Sequence, residues 1–267
     1  MGKAVNIKEK LKSFKELTIL LITIVLVIGL SIKSPIFLSA TNIKTTAIGL
    51  ACNGIIAIGM TMALISGGFD LSVGSIMGLS TCLAIVFNNK GINIWLAVLM
   101  AMVVCTAVGL INGFLIGYVG LNPFITTLGV QQIARGAVFV ITGGSSISLA
   151  SGRGVDAFKS IGSSEIIGIP VIVLIFIILV VIGDFLAKRS SSAMKVFYIG
   201  SNDKAAILSG INMRRVKMMV YVLTAALSAV AGILNAARFT VATSNTGSGA
   251  EMTVISAAVI GGASLSG

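Results

Sequence analysis

Residues 188–217, KRSSSAMKVFYIGSNDKAAILSGINMRRVK, form the most informative segment of this chain. It carries seven of the 19 Lys and Arg residues, namely Lys188, Arg189, Lys195, Lys204, Arg214, Arg215 and Lys217. The flanking segments 166–183 and 218–237 contain no charged residue. A basic loop between two apolar segments of membrane length is typical of a cytoplasmic loop. The stretch therefore predicts an all-α polytopic membrane protein with its basic loop in the cytoplasm.

The composition agrees with a membrane protein. The chain is 56% hydrophobic and 10% charged, whereas a soluble domain carries about 25% charged residues. The net charge of +11 comes from residues at the ends of apolar segments rather than on one face, which argues against a nucleic-acid partner. Membrane lipid is the expected surrounding.

The residues of covalent chemistry are missing from the sequence. There is no His, and Cys52, Cys82 and Cys105 each lie alone in apolar segments. The chain also lacks a Gly-x-Ser-x-Gly motif and a Gly-Lys-Ser/Thr phosphate loop. We predict that the chain is not an enzyme and holds neither a cofactor nor a metal, and that another chain binds any ATP that drives it.

The apolar segments define a single transmembrane domain over 1–267. A helix needs about 20 apolar residues to cross a bilayer. We predict spans at 17–32, 45–66, 71–88, 94–118, 123–141, 166–187 and 218–238, with the start of an eighth at 252–267. Segment 17–32 resembles a secretory signal, but Leu38 is too large for the −3 position of a cleavage site, and we interpret the segment as a retained span.

The distribution of basic residues predicts the orientation. A cytoplasmic N-terminus puts twelve Lys and Arg inside, namely the seven above with Lys3, Lys8, Lys10, Lys12 and Lys15. Five then lie outside: Lys33, Lys44, Lys90, Arg153 and Lys159. This asymmetry favours a cytoplasmic N-terminus. Trp95 is then expected at the outer interface, with Tyr118 and Tyr221 at the inner interface.

Asp70 follows Gly67-Gly68-Phe69 between two long uncharged runs. One hypothesis is helix capping, in which the carboxylate accepts the backbone N–H of Ser72 or Val73. The other is a discontinuous helix that lines a translocation path, since irregular backbone within a membrane occurs where it lines a cavity. The two hypotheses are compatible.

A polar stripe is predicted on the fifth span. Thr127, Gln131 and Arg135 are spaced i, i+4 and i+8, and a membrane Arg faces the bundle interior or water rather than lipid. The alternatives for Arg135 are a path-lining role or bonds to neighbouring carbonyls. Asn53 and Asn112 are weaker path candidates, because a lone membrane Asn is more often interhelical glue.

The basic loop contains a short helix signal. Ser201 or Asn202 caps it, and Gly210 ends it. A helix of about seven residues is unstable alone in water, so we expect it to pack against its own membrane domain or a partner.

Gly261-Gly262-Ala263-Ser264-Leu265-Ser266-Gly267 echoes Gly67-Gly68-Phe69-Asp70-Leu71-Ser72-Val73-Gly74, as in transporters built from inverted repeats. These motifs, with Leu-Asn-Pro-Phe-Ile-Thr-Thr-Leu-Gly at 121–129, Ile-Ala-Arg-Gly at 133–136 and Leu-Ser-Gly-Ile-Asn at 208–212, resemble the permease subunits of bacterial ATP-binding-cassette importers for simple sugars. The resemblance runs from about Leu17 to Gly267. It implies a type II-like importer permease with inverted repeats and discontinuous helices.

The resemblance also implies partners. These are cytoplasmic ATP-binding subunits, an extracytoplasmic sugar-binding protein and a second permease subunit, which makes a homodimer or a heterodimer in a bacterial cytoplasmic membrane. It further implies that the segment around 202–211 is the coupling helix, with Asn202, Ala205, Ala206, Leu208, Ser209, Gly210 and Ile211 as the ATPase-coupling residues. Ribose is the first expectation for the substrate, and furanosyl signals, sugar alcohols and nucleosides remain alternatives.

Two departures from the family pattern lie at 194–195, where a Gly-Arg pair is usual, and at Thr253, where the family has an acid. Family members continue for about two or three further membrane segments, so we expect a chain that is truncated after Gly267 and does not transport by itself. The alternative function is an ion-coupled secondary transporter of a small polar solute. Only Asp70 and Asp184 come close to the intramembrane carboxylates that such a transporter needs.

Overall fold

The computed structural model describes residues 7–264, with side chains from residue 20 onward, and it is almost entirely helical. The helices are α1 (Ile7–Lys33), α2 (Ala40–Ile65), α3 (Val73–Asn89), α4 (Ile94–Phe114), α5 (Pro123–Thr142), α6 (Val155–Ser163), α7 (Val171–Arg189), α8 (Ser191–Ser201), α9 (Asp203–Leu208), α10 (Met213–Phe239) and α11 (Ala250–Ile260). A π-helical turn, Leu115–Val119, extends α4. The strands are β1 (Ile147–Ser148), β2 (Glu165–Ile166), β3 (Ile169–Pro170) and β4 (Val241–Ala242).

The described residues contain five helices long and apolar enough to cross a membrane. They are α2, α4 with its π-helical turn, α5, α7 and α10. The part Leu20–Lys33 of α1, together with α3 and α11, forms shorter apolar helices. The predicted all-α polytopic class is confirmed.

Two antiparallel pairs of short strands lie in the connections between helices. β1 pairs with β4, and β2 pairs with β3. The β2–β3 hairpin turns at Ile167 and Gly168, both with positive φ, and α7 begins after Pro170. The first residues of the predicted segment 166–187 therefore lie in a hairpin and not in a helix. The helix starts only after Pro170, because proline lacks the N–H that an inner helix position needs and is tolerated at the start of a helix.

The chain divides into two compact units, Met1–Ala47 and Ile48–Gly267. The first unit contains α1. In the second unit, α10 packs mainly against α3 and α4, and nearly every residue of α3 is buried. Most residues of Val73–Asn89 are apolar or small, as expected for a short helix that is buried on nearly all sides.

Glycines at every fourth position allow α4 and its π-helical turn to approach α10 closely. A Cβ on Gly109, Gly113 or Gly117 would collide with backbone or Cβ atoms of α10. In membranes, small residues at i and i+4 permit this close backbone approach. The repeat is therefore a packing feature.

We expect Gly113→Ala to destabilise the bundle, because its Cβ would lie 2.7 Å from the carbonyl oxygen of Met218. Forcing extra atoms into a packed contact typically costs about 1–3 kcal/mol. Thermal unfolding in detergent measures this cost. The control is Gly129→Ala on α5, where an added Cβ meets no atom within 4 Å. Equal melting temperatures for the two variants would contradict the packing role of Gly113.

Candidate functional site

The break between α2 and α3 is organised by Asp70, which is 0% exposed. Its Oδ1 accepts the Ser72 backbone N–H at 2.8 Å and the Ser72 hydroxyl at 2.5 Å. The first bond is one that the capping hypothesis predicts, although the residue at the N-cap position of α3 is Ser72, whose own side chain bonds no N–H of that helix. The break is possible here because Gly67 adopts a positive φ of 79°, which glycine tolerates without steric cost.

Side chains of two neighbouring helices form hydrogen bonds with the residues of this break. Asn112 on α4 donates from Nδ2 to the Ser72 hydroxyl at 2.9 Å. On α5, the Thr127 hydroxyl accepts the Leu71 backbone N–H at 3.1 Å. Side chains from α4 and α5 therefore pair the Ser72 hydroxyl and the Leu71 backbone N–H of the non-helical segment.

The polar stripe of α5 continues from Thr127 to a second cluster. Gln131 donates from Nε2 to Glu251 Oε1 at 3.2 Å. Arg135 donates from Nη1 to the carbonyl oxygens of Ser244 and Thr246, at 3.0 and 2.6 Å. The stripe thus faces the bundle interior and holds the connection between β4 and α11.

The structure brings most of the predicted site residues into a polar network of two clusters along α5. Asp70, Asn112 and Thr127 lie at the break, while Gln131 bonds Glu251 on α11 and Arg135 bonds the segment before α11. Asn53 lies half-buried on α2 and is not among the residues that these bonds join. Arg135 makes the carbonyl bonds that were one of its two predicted alternatives.

Two residues of this region were missed by the sequence analysis. Glu251 is 8% exposed and meets Gln131 across 120 positions of sequence, a pairing that no local pattern signals. Tyr221 is 1% exposed, so its predicted place in the inner aromatic belt is wrong. It lies more than two turns inside α10, where its backbone contacts α4 at Gly109, whereas Trp95 and Tyr118 are exposed.

Several buried polar atoms have no hydrogen-bond partner among the described residues. They are Asp70 Oδ2, Ser75 Oγ, Asn112 Oδ1, Arg135 Nη2, Tyr221 Oη and Glu251 Oε2. Buried polar atoms are nearly always paired, so such a concentration calls for an explanation. Within the described part of the chain, no three His, Cys, Asp or Glu side chains are grouped to hold a metal ion.

The basic loop forms two helices, of which α8 was not predicted. The short helix α9 follows, and Asn202 Oδ1 caps it by accepting the Ala205 N–H at 3.0 Å. Gly210 ends it with a positive φ of 76°. Ala206 lies in a buried apolar cluster with Ala63 of α2 and Val196 of α8, whereas Leu208 is 89% exposed. One face of α9 therefore rests on its own membrane domain, and the other is open.

Comparison with known proteins places these observations in a family. The family model described as "Branched-chain amino acid transport system / permease component" matches residues 42–267. No solved structure matches the chain.

Among the curated relatives is the ribose import permease protein of Bacillus subtilis, 37% identical over 244 residues, which is 91% of this chain and 75% of that protein. The fructose import permease protein of Bifidobacterium longum is 36% identical over 213 residues, 79% of this chain and 60% of that protein. The L-arabinose transport system permease protein of Escherichia coli is 32% identical over 248 residues, 93% of this chain and 74% of that protein. The predicted resemblance to sugar-importer permeases is confirmed, and the chain belongs to the family of permease components of bacterial transport systems.

Proposed function

We propose that the chain is the permease subunit of an ATP-driven importer that moves a monosaccharide, with ribose as the first choice, across the bacterial cytoplasmic membrane. The observation that carries this proposal is the 37% identity to a ribose import permease over 91% of the chain. The chain contributes the path and not the chemistry, since permease components are not themselves enzymes. ATP is hydrolysed on a separate subunit.

The polar network supplies the groups for such a path. A neutral sugar needs hydrogen-bond donors and acceptors more than fixed charge. Asp70, Asn112 and Thr127 provide these groups around the first turn of α5. Arg135 lies eight residues after Thr127 on α5, which is about 12 Å along the helix axis. In alternating access, helices whose polar groups are hydrogen-bonded to each other in this conformation would separate. The freed groups would then face the substrate.

The partners of this proposal are cytoplasmic ATP-binding subunits, an extracytoplasmic sugar-binding protein and a second permease subunit. The proposed orientation puts the N-terminus and the α8–α9 segment in the cytoplasm, as the basic residues favour. In this orientation, Asn202, Ala205, Leu208 and Ser209 form the exposed face of α9. They would contact the ATP-binding subunit, while Ala206 would hold α9 on the membrane domain.

A groove beside α9 supports docking at this place. Its volume is about 620 Å³, and its lining includes Lys188, Arg189 and Lys195 together with Ala205 and Ser209. The groove combines basic side chains with a small, flat helix face. A protein partner with acidic groups and a complementary ridge would fit it.

We expect Ala205→Glu to abolish association with the ATP-binding subunit. Ala205 is exposed, so a glutamate there changes the docking face without entering the core. Co-purification from detergent measures the association, and thermal unfolding of the permease is expected to stay unchanged. The matched control is Lys90→Glu, an exposed substitution after α3 on the proposed outer side. Full co-purification of Ala205→Glu with its partner would show that α9 does not dock.

The function itself is tested by reconstituting the permease with its ATP-binding subunit and sugar-binding protein in proteoliposomes. ATP enclosed in the vesicles, on the side of the ATP-binding subunit, should drive uptake of radiolabelled D-ribose. A non-hydrolysable ATP analogue should not. Uptake driven by an ion gradient without ATP would instead support a secondary transporter. Absence of ribose uptake, with uptake of another monosaccharide from a panel, would correct the substrate alone.

A further inference from the structure

Four of the unpartnered buried atoms are oxygens contributed by four different elements. They are Asp70 Oδ2 in the break, Ser75 Oγ on α3, Asn112 Oδ1 on α4 and Tyr221 Oη on α10. All four residues are at most 1% exposed. Burying a polar atom without a partner costs free energy, so a cluster of such atoms points to a role for them, such as binding a ligand, an ion or a water.

Asp70 and Asn112 are linked through Ser72. The Ser72 hydroxyl donates to Asp70 Oδ1 at 2.5 Å and accepts from Asn112 Nδ2 at 2.9 Å. These bonds use Asp70 Oδ1 and Asn112 Nδ2. The other polar atoms of the two side chains, Asp70 Oδ2 and Asn112 Oδ1, stay unpaired. Ser75 follows Ser72 by three positions on α3, so both lie on the same face of that helix.

Tyr221 reaches the same place from α10. Its hydroxyl oxygen lies 2.6 Å from the position that a Cβ on Gly68 would take, two residues before Asp70. It is also close enough to interact electrostatically with the Asp70 carboxyl group. Gly109 brings α4 against the backbone of Tyr221, three positions before Asn112. The absence of a side chain at Gly68 is what admits the tyrosine hydroxyl to the break.

The remaining two unpartnered atoms belong to a different arrangement. Arg135 and Glu251 carry opposite charges that attract each other, so their free atoms are compensated electrostatically. The four oxygens at the break include a carboxyl group and no nitrogen donor. Such a set accepts hydrogen bonds, and its carboxylate disfavours a phosphate or carboxylate ligand.

We propose that Asp70, Ser75, Asn112 and Tyr221 form a binding site for the hydroxyl groups of the transported sugar. This inference rests on the proposed import function and adds Ser75 and Tyr221 to the path. Carboxylate and amide oxygens accept from sugar hydroxyls, while the Ser75 and Tyr221 hydroxyls both donate and accept. Because all four side chains are enclosed in this conformation, the sugar reaches them when the helices around the break separate.

The test measures binding of radiolabelled D-ribose to the purified permease–ATPase complex without the sugar-binding protein. Tyr221→Phe and Ser75→Ala should each raise the Kd roughly 5–10-fold, the loss of one neutral hydrogen bond. The controls are Tyr118→Phe, at an exposed tyrosine, and Ser228→Ala, a buried hydroxyl on α10 that bonds Thr224 within its own helix. Neither control should change the Kd.

A stability measurement separates a ligand-binding hydroxyl from a structural one. Tyr221→Phe removes a hydroxyl that has no partner within the described bundle, so the melting temperature should stay equal or rise. Riboses that each lack one hydroxyl identify the bonded group. One of them should bind to Tyr221→Phe as tightly as ribose does, because the hydroxyl that it lacks is the one that the Tyr221 hydroxyl would have bonded.

The outcomes distinguish the inference from the function on which it rests. If the wild-type complex imports ribose but Tyr221→Phe and Ser75→Ala bind ribose as wild type does, the site is wrong and the import function stands. An equal loss of binding in the Ser228→Ala control would also overturn the site. Binding that requires Na⁺ and ignores the sugar would assign the four oxygens to a cation instead. Failure of the wild-type complex to import any monosaccharide would remove the function itself.

Discussion

Arg135→Leu is expected to lower the stability of the membrane domain strongly. The guanidinium group donates to the carbonyl oxygens of Ser244 and Thr246 and attracts the buried Glu251. Leucine leaves both carbonyls without this donor, and it leaves the Glu251 carboxylate with only its bond from Gln131. Charge-assisted hydrogen bonds contribute about 1.5–3 kcal/mol each, so we expect a loss of about 3 kcal/mol.

The measurement for Arg135→Leu is thermal unfolding in detergent with a thiol-reactive fluorescent dye. Cys52, Cys82 and Cys105 are all buried and become reactive only when the bundle opens. A loss of about 3 kcal/mol corresponds to a decrease in melting temperature of roughly 6–12 °C. Arg135→Lys keeps the charge but not the fork of donors, and we expect an intermediate decrease.

The exposed Arg153→Leu serves as the control, with an expected change within about 0.5 kcal/mol. If Arg135→Leu has the same melting temperature as Arg153→Leu, the bonds to the segment before α11 do not stabilise the fold.

Asp70→Ala is expected to loosen α3 from its neighbours. Alanine removes the acceptor of two Ser72 donors, the backbone N–H and the hydroxyl, at a fully buried position. Loss of a capping acceptor costs about 0.5–2 kcal/mol, and a buried donor left unpaired costs about 1–3 kcal/mol more. The bond from Asn112 to the Ser72 hydroxyl loses its geometry as well.

The rate of thiol labelling at Cys82 under native conditions measures this loosening, because Cys82 is fully buried on α3. In a background where Cys52 and Cys105 are replaced by alanine, we expect Asp70→Ala to label at least tenfold faster than the parent, consistent with about 1.4 kcal/mol or more of lost local stability. Asp70→Asn keeps a carbonyl oxygen as acceptor and should label at a rate near the parent. Equal rates for alanine and asparagine would contradict the capping role.

Local sequence patterns predicted several parts of the site. The glycines before Asp70 predicted the break, and the bond from Asp70 to the Ser72 N–H follows from a spacing of two residues. Asn202 likewise caps α9 through a bond three residues away. The spacing of Thr127, Gln131 and Arg135 predicted one polar face on α5. Each of these inferences depends on atoms within a few helical turns, where backbone geometry fixes distances.

Long-range pairings were beyond the same reasoning. Gln131 and Glu251 are separated by 120 positions, and the carbonyls that Arg135 binds are more than 100 positions away. Tyr221 resembles an interfacial tyrosine in sequence because it lies one turn after Lys217, at the junction of the basic loop and the apolar part of α10. An apolar pattern on several faces of a helix does not reveal which face is buried.

A polytopic α-helical permease with a break at Asp70, a polar stripe and a short capped helix in its basic loop can be predicted from the residues alone. Which polar groups meet depends on how the helices pack. The physical reason is that helix–helix packing, set by close approach at Gly109 and Gly113, brings Tyr221 and Asn112 to the break. Their unpaired oxygens exist as one site only once α3, α4 and α10 are packed together.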